Sequence, residues 1–268
     1  MAAGHRSIPT ERARPRRSLG QNFLVDGNVA RKIVDCLKPT VGEHLVEIGP
    51  GKGMLTRELL RRGGRPLVLE KDLWLAQELK TTWPELAVVA IDALRFDWPR
   101  LASDPGLKII GNLPYNIASP LIWRLVESLP QARGMVFTVQ REVADRLVAR
   151  AGTRIYGGLS VWVQSFAEVR RELLLSPHVF RPRPRVDSAV VGLQPKVRSG
   201  GPQQPAELKR LIHLCFQKRR KQLGTILRPF WTPELESWLA VEGLTPTARP
   251  EDLSPSHFNA LSSLIKIS

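Results

Sequence analysis

One stretch near the N-terminus limits the possible folds most: an apolar run that ends at a glycine-rich turn. Residues 44–53 read HLVEIGPGKG, and residues 54–60 continue with apolar side chains at helical spacing. The pattern predicts a strand, a tight turn and a helix, which together open a βα unit. The turn of such a unit can approach a polar or anionic nucleotide ligand.

The spacing of the glycines narrows the choice of ligand. Glycines stand at 49, 51 and 53, whereas a dinucleotide fingerprint needs its third glycine where this chain has Met54. Lys52 is followed by Gly53 rather than by Ser or Thr, so the turn also differs from the phosphate loop of an NTPase. A dehydrogenase is excluded on this ground, and ATP is not the first choice.

Three further strands are predicted, and each ends at a polar residue. The apolar runs at 66–70, 86–92 and 107–112 end at Glu70, Asp92 and Asn112. A carboxylate about twenty residues past the glycine turn suits ribose hydroxyls, and one on the next strand suits an adenine amino group. Each acid alone is better explained as a helix N-cap or a solvated loop residue. Their matching positions favour one site, because parallel strands bind ligands at their carboxyl ends.

Six motifs together resemble the ribosomal RNA adenine N6,N6-dimethyltransferases. They are GQNFL at 20–24, EIGPGKG at 47–53, NLPY at 112–115, QREVADRL at 140–147, YGGLSV at 156–161 and FRPRPRVDSAV at 180–190. The resemblance covers nearly the whole chain and is nearest to the bacterial enzymes that dimethylate two adjacent adenines near the 3′ end of 16S rRNA. It implies S-adenosylmethionine as methyl donor, no metal, and 16S rRNA in an immature small ribosomal subunit as partner.

The resemblance also implies which residues contact the donor. Glu70 would hold its ribose and Asp92 its adenine, while Gly49 and Gly51 let the backbone approach. The complete implied set is Asn22, Leu24, Gly49, Gly51, Glu70, Asp92 and Asn112. Gln21 and Phe23 would help to close a lid. Lys52 is a departure, because its charge would be unfavourable near a cationic sulfonium unless the side chain points outward.

Residues 112–115, Asn-Leu-Pro-Tyr, carry the implied chemistry. The exocyclic nitrogen of adenine is a poor nucleophile because its lone pair is delocalised into the ring. The Asn112 side-chain oxygen and the Leu113 carbonyl can hold the amino group so that its lone pair faces the methyl carbon, and Pro114 keeps that carbonyl outside a helix. Tyr115 offers a flat face to a base that is flipped or single-stranded. Positioning would supply most of the rate.

A proline-stiffened segment at 176–185 contributes a further candidate. By resemblance, Phe180 stacks on the target adenine opposite Tyr115. From the residues alone, Phe180 is better explained as a core aromatic that anchors a rigid loop. Three arginines of the segment offer phosphate contacts: Arg181, Arg183 and Arg185.

The charge of the chain indicates a polyanionic partner. Its 40 Lys and Arg against 25 Asp and Glu give a net charge of +15 and a pI near 10.7. A charged helix face is usually exposed only to solvent. Because the motifs indicate a protein that binds rRNA, we favour a surface that contacts phosphates, formed by residues at the end of a C-terminal helix. The candidate contacts are Lys218, Arg219, Arg220 and Lys221.

We therefore predict an α/β fold of the class I methyltransferase type: a Rossmann-like, seven-stranded, mostly parallel sheet with a small C-terminal all-helical domain. A flexible basic tail would occupy 1–17, the methyltransferase domain 18–200, and the helical domain, which contributes to rRNA binding, 201–268. Strands five, six and seven are expected at 135–139, 159–166 and 188–193.

Two cysteines without metal spacing, Cys36 and Cys215, are expected to be buried reduced thiols of a cytoplasmic monomer. No apolar run is long enough to span a membrane.

Three alternatives stay open. The related 23S rRNA adenine methyltransferases of macrolide resistance share the fold and the tetrad type. A mitochondrial relative that also acts as a transcription factor is permitted by the arginine-rich N-terminus. A non-catalytic ribosome-assembly factor that binds rRNA belongs to another class, and the intact tetrad argues against it.

Overall fold

The computed structural model describes residues 21–196, 201–218 and 220–267. Its strands, in chain order, are β1 (Phe23–Leu24), β2 (Leu45–Ile48), β3 (Leu67–Glu70), β4 (Ala87–Ala90), β5 (Lys108–Asn112), β6 (Gly134–Gln140), β7 (Ala167–Leu175), β8 (Phe180–Arg181) and β9 (Ser188–Pro195). Its helices are α1 (Gly27–Leu37), α2 (Met54–Arg61), α3 (Leu73–Thr82), α4 (Ala118–Ser128), α5 (Arg141–Leu147), α6 (Gly158–Phe166), α7 (Pro205–Gln217), α8 (Leu223–Ile226), α9 (Pro233–Val241) and α10 (Pro255–Leu264). The predicted tail at 1–17 and Arg219 lie outside the described residues.

Seven strands form one sheet in the order β4-β3-β2-β5-β6-β9-β7. The first five are parallel to their neighbours, and β9 runs antiparallel to both β6 and β7. The predicted seven-stranded, mostly parallel sheet is therefore confirmed. Strands inside it, such as β5, are covered on both faces and are accordingly almost continuous apolar runs. A separate antiparallel ribbon pairs β1 with β8.

The prediction of a strand at 159–166 was wrong, because these residues form helix α6 and the strand follows as β7. Most of the α6 side chains are buried, so the run is apolar all round, and periodicity alone does not separate a buried helix from a buried strand. The helix has capping support: the Ser160 hydroxyl accepts a hydrogen bond from the Gly157 amide. Strand β7, at the edge of the sheet, is largely exposed.

Residues at both ends of helix α1 define where it begins and ends. The Asp26 carboxylate caps it by accepting hydrogen bonds from the amides of Asn28 and Val29 at 2.8 and 3.1 Å. It ends at Leu37, where Lys38 adopts a left-handed conformation ahead of Pro39. Its apolar face packs on β5, β6 and β9 and covers one side of the sheet.

The helices of the C-terminal region pack on the sheet domain through α6, which contacts both α7 and α10. Buried residues of these helices, including Leu211 and Phe258, belong to the same apolar cluster as the sheet strands β5 and β6. The boundaries at 18–200 and 201–268 stay a prediction. Cys215 is buried, whereas Cys36 is only half-buried. Within the described part of the chain, no helix is both long and apolar enough to cross a membrane.

Candidate active site

A cavity opens at the carboxyl ends of β2, β3 and β5, as expected for an open parallel sheet. It brings together all but one of the residues predicted for the donor and the target. Those that line it are Asn22, Leu24, Gly49, Gly51, Glu70, Asp92, Asn112, Leu113 and Tyr115. Gln21 and Phe23 of the predicted lid also line it.

The glycine turn needs glycine for two separate reasons. Gly49 and Gly51 both have positive φ, 64° and 56°, which side-chain-bearing residues rarely adopt. A Cβ on Gly51 would also lie 2.6 Å from the Phe23 ring. The turn can therefore pack directly beneath β1, and its backbone faces the cavity.

Glu70 is held in place by the backbone around it. One carboxylate oxygen accepts a hydrogen bond from the Gly51 amide at 3.1 Å, and the other from the Asp72 amide at 2.9 Å. Burial raises the pKa of the Glu70 carboxyl, although these amides oppose the shift. Each oxygen keeps a second lone pair, so the side chain can still accept from a ligand hydroxyl. The ribose contact stays a prediction.

Asp92 is ionised in a more polar setting. Burial acts to raise its pKa, but the Lys71 ammonium at 2.9 Å and the Leu94 amide outweigh burial, so the pKa is lowered. The carboxylate is thus a fixed acceptor at the cavity edge, suited to an amino group. Its adenine contact stays a prediction.

Asn112 is oriented by a residue distant in sequence. Its side-chain Nδ2 donates a hydrogen bond to the Asn22 carbonyl at 2.8 Å, which leaves Oδ1 as the side-chain acceptor. The Leu113 amide donates to Thr138, and no backbone amide of the described residues donates to the Leu113 carbonyl. Two acceptors, Asn112 Oδ1 and Leu113 O, are therefore available at the position where the tetrad needs them.

Tyr115 is fixed by Ser188, a residue that the sequence did not single out. The two hydroxyl oxygens lie 2.6 Å apart, and Ser188 is fully buried at the start of β9. Burial raises the pKa of the Tyr115 hydroxyl, so it stays neutral, and its ring stands at the cavity wall. The sequence signal for Ser188 was its place in the FRPRPRVDSAV motif.

Phe180 lies elsewhere. Its side chain is only 1% exposed, packs in the apolar cluster with Leu24 and Val190, and does not line the cavity. In this arrangement a base cannot reach the ring, and the structure agrees with the core-aromatic interpretation. Stacking on the target adenine remains a prediction.

Lys52 and the described candidates for phosphate contact have exposed side chains. The Lys52 ammonium lies 5.5 Å from the centre of the Phe23 ring, a cation–π distance. Lys52 also lines the cavity. The predicted phosphate-contacting residues that the structure describes are all exposed: Arg181, Arg183, Arg185, Lys218, Arg220 and Lys221.

Glu47, inside the glycine motif, was given no role from sequence. It is fully buried in β2, and neither of its carboxyl oxygens has a hydrogen-bond partner among the described residues. Thr56, which is also fully buried, is its polar neighbour and opposes the effect of burial on the pKa of the carboxyl. Burial raises the pKa of the Glu47 carboxyl to about 8, so the group is mostly protonated at neutral pH.

The sheet order, the glycine turn and the acids at successive strand ends define a class I methyltransferase. The amino-acid sequence of the chain identifies the family within this class. The model of the family described as ribosomal RNA adenine dimethylase matches residues 12–266. The chain belongs to that family.

Individual relatives agree over nearly full length. The chain is 45% identical to a protein of Oleidesulfovibrio alaskensis named ribosomal RNA small subunit methyltransferase A, with 98% of this chain and 96% of the relative covered. A protein of the same name from Maridesulfovibrio salexigens is also 45% identical, over 95% and 97% of the two chains.

Solved structures share the fold. A dimethyladenosine transferase from Plasmodium falciparum superposes with a TM-score of 0.74 at 25% identity, covering 90% of this chain and 95% of that one. The 23S rRNA methyltransferase ErmE superposes with a TM-score of 0.69 at 24% identity, covering 91% and 99%. This second likeness concerns the fold alone.

Proposed function

We propose that the protein uses S-adenosylmethionine to dimethylate N6 of two adjacent adenines near the 3′ end of 16S rRNA. The observation that carries the proposal is the pair of acceptors at Asn112 and Leu113, beside the Tyr115 ring and facing a cavity lined by two carboxylates. The relatives named small subunit methyltransferase A support the choice of rRNA. The substrate would be an immature small subunit, met by a cytoplasmic monomer.

The residues of the cavity fit the donor. Glu70 and Asp92 provide acceptors for ribose hydroxyls and an adenine amino group, and the positive-φ glycine turn leaves its backbone facing the cavity. When bound, S-adenosylmethionine supplies an electrophilic methyl group. The remaining contribution comes from the chain itself, which must present the adenine nitrogen in line with that methyl group.

Asn112 and Leu113 would perform this presentation. Two hydrogen bonds from the target N6 to these acceptors turn the nitrogen lone pair out of conjugation with the ring and toward the donor. Tyr115, fixed by Ser188, would stack on the base and set its height in the cavity. None of these groups is a strong base, so positioning and exclusion of water provide the rate enhancement.

The phosphates of the rRNA would be contacted by Lys218, Arg220 and Lys221, together with Arg219. Replacement of the three described residues by Ala should make binding less dependent on salt, by about one counterion for every phosphate that is no longer neutralised. The matched control replaces Lys80, Arg95 and Arg100, exposed cations of the β4 side of the sheet. If rRNA binding depends equally on salt concentration in both triple variants, residues 218–221 do not contact rRNA phosphates.

The direct test incubates purified protein with labelled S-adenosylmethionine and unmethylated small subunits, followed by mapping of modified nucleotides by mass spectrometry. Two adjacent dimethyladenines near the 3′ end of 16S rRNA are expected. Label confined to 23S rRNA would replace the proposal by the resistance-type activity. Tight subunit binding without any label would replace it by the assembly-factor role.

A further inference from the structure

A second groove lies beside the cavity and has no role in the chemistry described so far. Its volume is about 460 Å³, within the range of about 300–1,000 Å³ typical of small-ligand sites. Ile155, Pro177 and Val186 form its apolar side, and Arg141, Arg185 and Asp187 are among its charged residues. The groove thus offers both apolar side chains and charged groups to a ligand.

The groove is connected to the target end of the cavity through two hydrogen bonds. Asp187 immediately precedes Ser188, whose hydroxyl holds Tyr115 at 2.6 Å. The Asp187 carbonyl accepts a hydrogen bond at 3.0 Å from the amide of Arg141, the first residue of α5. The groove therefore begins one residue away from the group that positions Tyr115, on the target side of the cavity.

The apolar side of the groove is exposed to a degree unusual for its residue types. Ile155 is 50% exposed and Val186 is 46% exposed, and both belong to the polar, loop-rich part of the chain. Large aliphatic side chains at the surface beside a site are suited to cover the face of a base. They give no attraction to a phosphate.

The charge of the groove also argues for a base. Asp187 lies 3.5 Å from Arg141 in an exposed ion pair, and two further carboxylates, Glu142 and Asp145, line the same groove. Each of the three carboxylates is paired with an arginine, Asp187 with Arg141, Asp145 with Arg171 and Glu142 with Arg146. The charges of the groove are therefore largely balanced and do not single out a phosphate. A carboxylate only accepts hydrogen bonds, so its partner must be a donor such as the exocyclic amino group of a base.

We propose that this groove binds the nucleotide adjacent to the target adenine, with Ile155 and Val186 against the base and Asp187 accepting a hydrogen bond from its exocyclic amino group. The inference rests on the proposed function and deepens it. An unmodified adenine has two N–H donors at N6, and a dimethylated adenine has none. The groove therefore binds an unmodified neighbour better than a dimethylated one, and this difference sets an order on the two modifications.

The experiment uses the full chain and small subunits rebuilt with 16S rRNA in which one of the two adenines is altered. The altered base is either N6,N6-dimethyladenine or purine riboside, which lacks the amino group altogether. Each alteration is made on the 5′ and on the 3′ side, and the initial rate of methylation at the intact adenine is measured by mass spectrometry. Wild-type protein should slow about fivefold when the neighbour on one side loses its N–H donors, a modest effect because Asp187 is half exposed.

Two variants make the test specific. Asp187→Ala should methylate the intact adenine at rates that no longer depend on the neighbour. Asp97→Ala removes a carboxylate from a comparable exposed pair, with Arg100 at 2.9 Å, and should keep the wild-type dependence.

Each result decides a different statement. Wild-type rates independent of the neighbour on both sides would overturn the groove assignment while leaving methylation intact. Retained dependence in Asp187→Ala would also overturn it. A wild-type protein that methylates neither adenine of unaltered subunits would overturn the proposed function itself.

Discussion

The two walls of the cavity are held together in different ways. The donor wall, formed by Gly51, Glu70 and Asp92, is fixed by hydrogen bonds to backbone amides two to 19 residues away in sequence. The acceptor wall, residues 112–115, is fixed by side-chain hydrogen bonds that span 90 residues to Asn22 and 73 residues to Ser188. The hydrogen bonds within the donor wall are therefore complete once β2, β3 and β4 pair, whereas those of the acceptor wall also need β1 and β9 in place. Variants in the two walls should separate donor binding from methyl transfer.

Asn112→Ala should have the largest effect and act mainly on the acceptor wall. It removes the side-chain acceptor for the target amino group, so turnover should fall about a thousandfold, the upper range for loss of one preorganised polar contact. Affinity for S-adenosylmethionine, measured by calorimetry, should fall much less, because the other predicted donor contacts remain. Asn28→Ala, an exposed position on α1, is the matched control. Near-normal turnover of Asn112→Ala would show that the Asn112 side chain does not position the target amino group.

Glu47→Gln tests whether the buried Glu47 carboxyl makes the stability of the protein depend on pH. The folded-state pKa of about 8 is above the usual value of 4.5, so the folded protein keeps a proton that the unfolded chain releases. The stability contributed by this group is complete below about pH 4.5 and is lost as pH rises toward about 8. Wild-type unfolding free energy should therefore decline, on the order of 3 kcal/mol from about pH 5 to pH 8, and the decline should be largely absent in Glu47→Gln.

Urea unfolding at a series of pH values measures this difference. Glu85→Gln, at an exposed position, controls for loss of a carboxyl and should follow the wild-type curve. Parallel curves for wild type and Glu47→Gln would show that Glu47 does not control the pH dependence.

Glu70→Gln should be the converse of Asn112→Ala. The side-chain NH₂ of glutamine would face the backbone N–H of Gly51 or Asp72, so that a donor meets a donor, and the carboxylate acceptor for the ribose is lost. Donor affinity should fall about thirtyfold, while turnover at saturating donor stays near wild type. Equilibrium binding and steady-state kinetics together measure this. Glu78→Gln, exposed on α3, provides the control, and a loss confined to turnover would contradict the division into two walls.

Gly51→Ala should sharpen the comparison at the turn itself. Alanine shares the strained positive φ at Gly51 and at Gly42, but only at Gly51 does the new Cβ meet another group, the Phe23 ring at 2.6 Å. Both variants should lose stability by about 1 kcal/mol. Gly51→Ala alone should also weaken donor binding, by about tenfold, because β1 is displaced from the turn. Equal affinities of Gly51→Ala and Gly42→Ala for S-adenosylmethionine would show that the contact between Gly51 and β1 does not affect donor binding.

Sequence reasoning succeeded where contacts are local. The strand ends at Glu70, Asp92 and Asn112 followed from apolar runs, and the turn after β2 followed from its glycines. It failed at 159–166, because a segment buried on all sides has no exposed face to reveal its period. It also missed Ser188 and the Asn22 carbonyl, because no spacing along the chain indicates that β1 and β9 meet the tetrad. The buried position of Phe180 was open for the same reason.

The smallest effect concerns the longest-range support of the acceptor wall. Tyr115→Phe and Ser188→Ala each remove one partner of the hydrogen bond between the two hydroxyls, and each should reduce kcat/KM about threefold to fivefold. The double variant should be little worse than either single one, with a coupling energy of about 1 kcal/mol, because both changes break the same bond. Ser165→Ala is the control, since the Ser165 hydroxyl is buried but bonds only within α6. Additive losses in the double variant would mean that Ser188 acts on catalysis without Tyr115, and that packing of β9, rather than this bond, holds the acceptor wall.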